Sequence, residues 1–298
     1  MKEEIKKNNR TKRFVLKSFL FFLVIYFFYL SILFLFSFFS KKNYPAVIFF
    51  DVGQGDSILL RNVEGRNILI DAGPDNMVLK KMAKHLTYFS RSLDLVIVSH
   101  YHDDHVVGLV EIVKRYKVKE IIFAKDLKSS LVQDLVLTTI DDKNLKKGDK
   151  TKVFFIEELL EINLSSNCSL FVLNPLTLKI KDNDNNSLIT KLDCYDLRFL
   201  FSGDNEAEVE EKLLKSNFDL VSDVFKASHH GSKTSNTLDF LRAVKAKIFV
   251  VSSGKNNRFK HPAKEVVDRV LDLKMIIKRT DLEGDLVFPL NSIKSQIN

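Results

Sequence analysis

Apolar residues along this chain fall into three kinds of run, and each predicts a different element. The first is "SFLFFLVIYFFYLSILFLFSFFS", Ser18 to Ser40, 23 residues without a charge. At about 1.5 Å per residue it reaches roughly 35 Å, enough to cross the hydrocarbon layer of a bilayer. A cleaved signal peptide has a shorter apolar core, about 7–15 residues, followed by a small-residue cleavage site. No such site precedes Lys41-Lys42, so the run predicts an uncleaved anchor over 14–40.

The second kind is short, continuous or alternating, and reads as strand. It covers Ala46–Phe50, Ser57–Arg61, Asn67–Ile70, Leu93–Val98, Glu120–Phe123, Ser169–Leu173, Ser187–Leu192, Leu197–Phe201, Asp223–Ala227 and Ile248–Val251, with short strands closing the chain. Leu93–Val98 is nearly unbroken, as expected of a strand buried on both faces. The third kind has helical spacing: Met77–Phe89, Val106–Lys114, Glu206–Leu214, Leu238–Val244, and Lys264–Leu273 behind Pro262. Residues 125–165 are polar and predict no clear element. The turn-rich "KDNDNN" lies between two of the strands. Hairpins followed by strand–helix units, twice over, predict an α/β domain of two packed sheets with helices outside. The expected layout is a basic segment at 1–13, an anchor at 14–40, a linker at 41–45, one large domain at 46–290 and a tail at 291–298.

Charge sharpens this layout. The net charge is +8, but residues 1–42 hold nine of the 46 Lys and Arg and only two of the 38 acids. The rest is close to neutral, so the overall basicity does not indicate a nucleic-acid-binding domain. Six Lys/Arg precede residue 14, which predicts a single-pass plasma-membrane protein with a cytoplasmic N-terminus and the large domain outside. Two cysteines, Cys168 and Cys194, exclude a disulfide scaffold and a cysteine-based zinc module. They flank neighbouring predicted strands, where they could pair, but the expectation is two small buried hydrophobes.

The candidate chemistry concentrates in "SHYHDDHVVG", Ser99 to Gly108, directly after the buried strand. In an extended segment His100 and His102 point the same way. As the chain turns into a helix, Asp104 and His105 face a second point nearby. Imidazole nitrogens with carboxylate oxygens suit Zn²⁺ and tolerate Mn²⁺ or Fe²⁺. Asp204 in "FLFSGD", His229 and His230 in "KASHHGS", and His261 in "KHPAK" also sit at strand ends, which converge on one edge of a layered protein. His85 is expected at the surface of its helix. From Lys226 to Lys260 there are eight bases (Lys226, Lys233, Arg242, Lys245, Lys247, Lys255, Arg258, Lys260) and one acid, Asp239. Several flank the histidines, where they could grip phosphate oxygens, and Ser232 could add a donor.

Six motifs occur in a family order: "FFDVGQGDSILL", "ILIDAG", "SHYHDDHVVGL", "LRFLFSGD", "VFKASHHGS" and the Asn256 to Pro262 "N…HP" pattern. Together they resemble the metallo-β-lactamase superfamily, and more narrowly the hydrolase domain of ComEC-type DNA-uptake competence proteins. The resemblance implies an αββα sandwich holding one or two divalent ions, Zn or Mn. His100 and His102 would bind one ion, Asp104 and His105 the other, and Asp204 would bridge. His229 is the favoured completing ligand, ahead of His230 and His261, and Asp71 would support the ligating histidines. No histidine lies between His105 and Asp204, where many members carry a further ligand. The implied function is a membrane-anchored phosphodiesterase or nuclease acting on DNA, single-stranded in the first instance, with Asp104, Lys226 and Ser232 as catalytic groups. A DNA-uptake channel protein is the implied partner. The alternatives are a hydrolase of small esters or cell-wall phosphodiesters such as choline phosphate, and a non-catalytic membrane-tethered DNA-binding subunit.

Overall fold

A computed structural model describes residues 2–40, 44–87, 90–125, 131–147, 150–173 and 187–290. The "KDNDNN" turn, the 291–298 tail and residues 41–43 of the expected linker lie outside the described residues. The chain divides into two units, Met1–Asn43 and Tyr44–Asn298.

The first unit is one helix, α1 (Lys2–Ser40). Its Val15–Phe34 stretch, with mean hydropathy 2.1, is long and apolar enough to cross a membrane, and it buries none of its surface within the protein. A helix apolar all round has no polar face to give to water.

In the second unit the chain runs β1 (Ala46–Phe49), β2 (Ile58–Val63), β3 (Arg66–Ile70), α2 (Met77–His85), β4 (Ser92–Val98), α3 (Asp103–Arg115), β5 (Lys117–Ala124), α4 (Leu131–Lys147) and β6 (Lys152–Ile156). It continues β7 (Leu160–Ser165), β8 (Cys168–Leu173), β9 (Ile189–Cys194), β10 (Leu197–Phe201), α5 (Ala207–Leu214), β11 (Val224–Lys226), α6 (Leu238–Val244), β12 (Ile248–Val251), α7 (Lys264–Asp272), β13 (Ile276–Arg279), α8 (Thr280–Glu283) and β14 (Leu286–Pro289). Two seven-stranded sheets result, ordered β14-β1-β2-β3-β4-β5-β6 and β13-β12-β11-β10-β9-β8-β7. Each is antiparallel at one end and parallel at the other, with β3 to β6 and β10 to β13 parallel.

Side-chain alternation decides the layers. Val47, Phe49, Leu60, Leu95 and Ile97 of the first sheet face Leu170, Leu192, Phe199, Val224 and Val250 of the second in a central core. Their neighbours in sequence point the other way. Ile48, Leu59, Leu69 and Val96 meet Val78 of α2 and Val106 and Leu109 of α3. Leu200, Phe225 and Phe249 meet Val209, Phe240 and Val266 of α5, α6 and α7. The expected αββα sandwich is therefore the observed architecture, with strands β4 and β12 buried on both faces.

Some details depart from expectation. The helix expected to reach Phe89 ends at His85, because Leu86 is already extended (φ −88°, ψ 158°). Helix α3 starts earlier than expected, at Asp103; Asp103 and Asp104 occupy its first turn, where the helix dipole favours acids. The unread stretch 125–165 holds α4, β6 and β7. In α4 only Val136 and Ile140 are deeply buried apolar residues, while Leu131, Leu135 and Leu145 face solvent, so no single apolar stripe marks it. His85, expected at the surface, is buried: it stacks on Phe50 at 5.6 Å and contacts Asp285 at 2.9 Å. Cys168 and Cys194 are not free hydrophobes but a disulfide, with Cα atoms 4.1 Å apart. The register of β8 against β9 places them directly opposite each other, which the sequence of either strand alone does not reveal.

Candidate metal centre

The carboxyl ends of the parallel strands in both sheets open onto one edge, where the chain leaves the sheet and its backbone is free to turn toward a ligand. Asp71 follows β3, Ser99 to His105 follow β4, Asp204 follows β10, and Ser228 to Gly231 follow β11. Close approach is needed to bring in one more segment. Gly55 (φ +136°) lies so near α3 that a Cβ would come within 2.1 Å of the Asp104 carbonyl oxygen. Only glycine fits there, and Asp56 next to it donates its N–H to that carbonyl at 3.2 Å.

Asp204 Oδ2 is the hub. It stands 3.4 Å from His105 Nε2, 3.5 Å from His230 Nε2, 3.8 Å from His100 Nε2 and 3.9 Å from His229 Nε2. Among the described residues, four overlapping donor groups share this neighbourhood, and two of them do without Asp56. His100, His102 and Asp204 offer atoms within 4.8 Å of one another, and so do Asp104, His105 and His230. Behind them the histidine orientations are set by hydrogen bonds. Asp71 accepts the Ser99 N–H and hydroxyl, both at 2.7 Å, and faces His105 Nδ1 at 2.9 Å. The Ser99 oxygen faces His100 Nδ1 at 3.0 Å, and the Ser252 carbonyl faces His230 Nδ1 at 2.9 Å. With a proton on each inner nitrogen, each Nε2 lone pair would face the centre and be free for a cation.

The buried His100 Nε2, His105 Nε2, His230 Nε2, Asp204 Oδ1 and Asp56 Oδ1 make no hydrogen bond. Leaving such atoms unpaired is costly unless something else engages them. Four carboxylates, Asp56, Asp71, Asp104 and Asp204, converge on His105, and the Lys226 ammonium stands beside Asp56 and Asp204. Unpaired imidazole nitrogens beside carboxylate oxygens fit a divalent cation such as Zn²⁺ or Mn²⁺.

The same carboxylates and imidazoles act on one another's titration. Burial opposes ionisation of Asp104, but His230 and His105 outweigh it and bring its pKa down to about 2. Burial likewise opposes the charge on His230, which Asp204 and Asp56 push up to about 9. Burial, helped by His230 and His229, holds His261 down to about 4.

The expected site residues divide into those the fold assembles and those it does not. His100, His102, Asp104, His105 and Asp204 come together with His230, rather than with His229. Residues 229 and 230 are both left-handed (φ 49° and 54°), and the turn aims His230 inward. His229 is half-buried and its Nδ1 lies 3.3 Å from Glu206. His261 lies beside them, its ring 6.4 Å from that of His230, outside all four donor groups. Asp71 stands behind His105 and Ser99.

Lys226 and Ser232 are corrected. Lys226 is 1% exposed; its ammonium is paired with Asp56 and donates to the Gly203 carbonyl at 3.2 Å. Burial opposes its charge, yet Asp56 and Asp204 raise its pKa. It is an internal counter-ion, enclosed among carboxylates rather than on the surface. Ser232 is buried, and its hydroxyl pairs with that of Thr234 at 2.9 Å. The sequence reading missed Asp56. An aspartate opening a buried strand faces the same desolvation cost that drew attention to Asp204, and that was the available signal.

The layered fold with this edge of donors is a metallo-hydrolase fold. Residues 50–166 match the sequence profile of the Metallo-beta-lactamase superfamily. It is 27% identical over 260 residues to ComE operon protein 3 of Bacillus subtilis (strain 168), covering 80% of this chain and 32% of that protein. It is 28% identical over 260 residues to the competence protein ComA of Neisseria gonorrhoeae, covering 86% and 34%. The chain thus spans about a third of the length of these curated relatives. Among solved structures, the metallo-beta-lactamase fold protein YhfI from Bacillus subtilis superposes with a TM-score of 0.54 at 12% identity, covering 82% of this chain and 99% of that one, a likeness of fold.

Proposed function

We propose that the second unit is a metal-dependent phosphodiesterase acting on DNA, and that α1 tethers it to the plasma membrane. The observation that carries this is the ring of unpaired buried nitrogens around Asp204 Oδ2. His100, His102 and Asp204 would hold one cation, and Asp104, His105 and His230 a second, with Asp204 between them. A divalent cation held there supplies Lewis acidity, lowering the pKa of a water molecule toward neutrality and stabilising charge on the group attacked.

The remaining work falls to the chain. Asp71 and Ser99 hold His100 and His105 in the tautomer that faces the centre. Asp104, half-exposed where its partners are buried, would orient the attacking water. Lys226 neutralises Asp56 so that the carboxylate pair can stay buried. Lys233, Lys255, Arg258 and Lys260 are exposed on the histidine side, where a phosphodiester backbone would be drawn in. This cationic rim favours phosphodiesters over neutral esters. The competence proteins among the relatives support a DNA-uptake setting with a channel protein as partner. The basic N-terminal segment supports a cytoplasmic N-terminus, and the Cys168–Cys194 disulfide supports an oxidising, extracytoplasmic side for the domain.

The test is hydrolysis of single-stranded DNA and of methyl nitrophenyl phosphate by the full chain in detergent, with and without added Zn²⁺ or Mn²⁺. Metal-dependent cleavage that His102→Ala and Asp204→Asn abolish is expected. Cleavage that survives both substitutions, or that ignores chelation, overturns the reading.

A further inference from the structure

The stretch from Gly254 to Pro262 is tied down more tightly than its exposure suggests. The Asn257 amide donates to the Gly254 carbonyl at 3.0 Å and to the His261 carbonyl at 2.7 Å, and its oxygen accepts the His261 N–H at 2.9 Å. Gly254 N–H donates to the Gln54 side chain at 3.2 Å, on the loop that carries Asp56. Gly231 (φ +83°) lets Pro262 close over the His229-His230 turn, since a Cβ there would meet Pro262 Cβ at 2.7 Å. The loop is held rigidly against the metal centre.

On this loop Phe259 is 49% exposed. A single exposed phenyl ring needs no explanation in general. Here its ring stacks on His261 at 5.6 Å with 22° between the planes, and His261 lies nearly parallel to His230 at 6.4 Å. A file of rings thus runs from the donor group out to solvent. Lys255, Arg258 and Lys260 lie on the same stretch as Phe259, all exposed. Exposed aromatics set among cations form the surfaces on which unpaired nucleobases stack while the phosphates are held.

We propose that Phe259 is the stacking platform for a nucleobase adjoining the scissile phosphate, so that the substrate is a single strand of nucleic acid. This rests on the phosphodiesterase reading. The Arg258 guanidinium lies over the Phe259 ring, 4.7 Å from its centroid. An exposed cation–π contact contributes about 0.5–1 kcal/mol, less than the roughly 1–3 kcal/mol of base–aromatic stacking. An arriving base therefore displaces Arg258, which is then free to meet a phosphate. Duplex DNA keeps its bases stacked on one another and offers none to the ring.

Binding of two fluorescent probes to the full chain in detergent, with divalent metal chelated, tests this. One is a short oligothymidylate and the other an abasic oligomer of equal length. Phe259→Ala is expected to weaken the oligothymidylate about 5- to 100-fold and leave the abasic oligomer within about twofold, while Phe259→Tyr retains wild-type affinity. With metal restored, Phe259→Ala should raise KM for the oligothymidylate, while the wild type hydrolyses both it and methyl nitrophenyl phosphate. Equal weakening of both probes, no weakening of either, or tighter wild-type binding of duplex than of single strand overturns the platform. If the wild type hydrolyses neither phosphodiester, the phosphodiesterase reading itself fails; hydrolysis with unchanged binding removes the platform alone.

Discussion

The Asp71 carboxylate lies 2.9 Å from His105 Nδ1, while His105 Nε2 points at Asp204 from 3.4 Å. One ring thus spans a supporting carboxylate and the hub of the donor groups. The Ser99 hydroxyl extends the same support to His100. Asp71→Asn keeps the shape, and asparagine tolerates the left-handed backbone there (φ 56°). It is expected to lower metal affinity about 10- to 100-fold, read by competition against a chromophoric chelator, with the far-ultraviolet dichroism unchanged.

His230 and His229 are neighbours in sequence but not in role. Because His230 belongs to a donor group and His229 does not, His230→Ala should cost metal content by elemental analysis of the purified chain. His229→Ala should leave that content at the wild-type level. A reversed result would move the ligand back to His229.

Lys226 and Asp56 are both buried and paired. Removing the cation alone strands a carboxylate, so Lys226→Met is expected to destabilise the fold by about 3–5 kcal/mol in chemical denaturation. Adding Asp56→Asn to it should restore most of that loss. If the double variant is no better than the single, the pair is not what the lysine serves.

A second charged cluster lies away from the donor groups. Asp285 is buried against Lys81 and Lys84, each at 2.7 Å, and His85 at 2.9 Å, and accepts the Asp51 N–H at 3.1 Å. Burial would raise its pKa, but His85, Lys81 and Lys84 outweigh it and hold the carboxyl well below the usual 3.8. A depressed carboxyl stabilises the fold above its unfolded-state pKa, and that stability is lost as the pH falls below it. Asp285→Asn should therefore lower Tm most at neutral pH, and the deficit should shrink as the pH is taken below 4. A deficit independent of pH would assign the loss to packing.

The Cys168–Cys194 bridge closes a loop with a sequence separation of 26. Loop closure of that size is worth about 3–4 kcal/mol through the unfolded chain. Reductant, or Cys168→Ser with Cys194→Ser, should lower the denaturation midpoint together. A midpoint indifferent to reductant would mean that the thiols are unpaired in the isolated protein.

Much was legible because burial on both faces leaves a strong local mark. Leu93–Val98 and Ile248–Val251 stand out as apolar runs nearly free of polar residues, and the donors after the first stand out because three histidines and two aspartates crowd into Ser99 to Gly108. Helix α4 and strand β6 were illegible for the opposite reason: they lie at the margin, with Leu131, Leu145, Phe154 and Phe155 left in solvent, so their apolar residues mark no consistent face.

What the chain determined by itself was local and periodic: the apolar span at its start, the alternating strands, and the ligand types gathered after them. What only the tertiary structure decided depends on distant segments meeting. Lys226 reads as a surface cation until Asp56, far back in the chain, is folded against it. His230 and His229 are indistinguishable until two left-handed residues turn one of them toward Asp204. Cys168 and Cys194 become partners only through the register of β8 on β9. Burial and pairing are properties of the assembled edge, because desolvation and charge act through space and ignore distance along the chain.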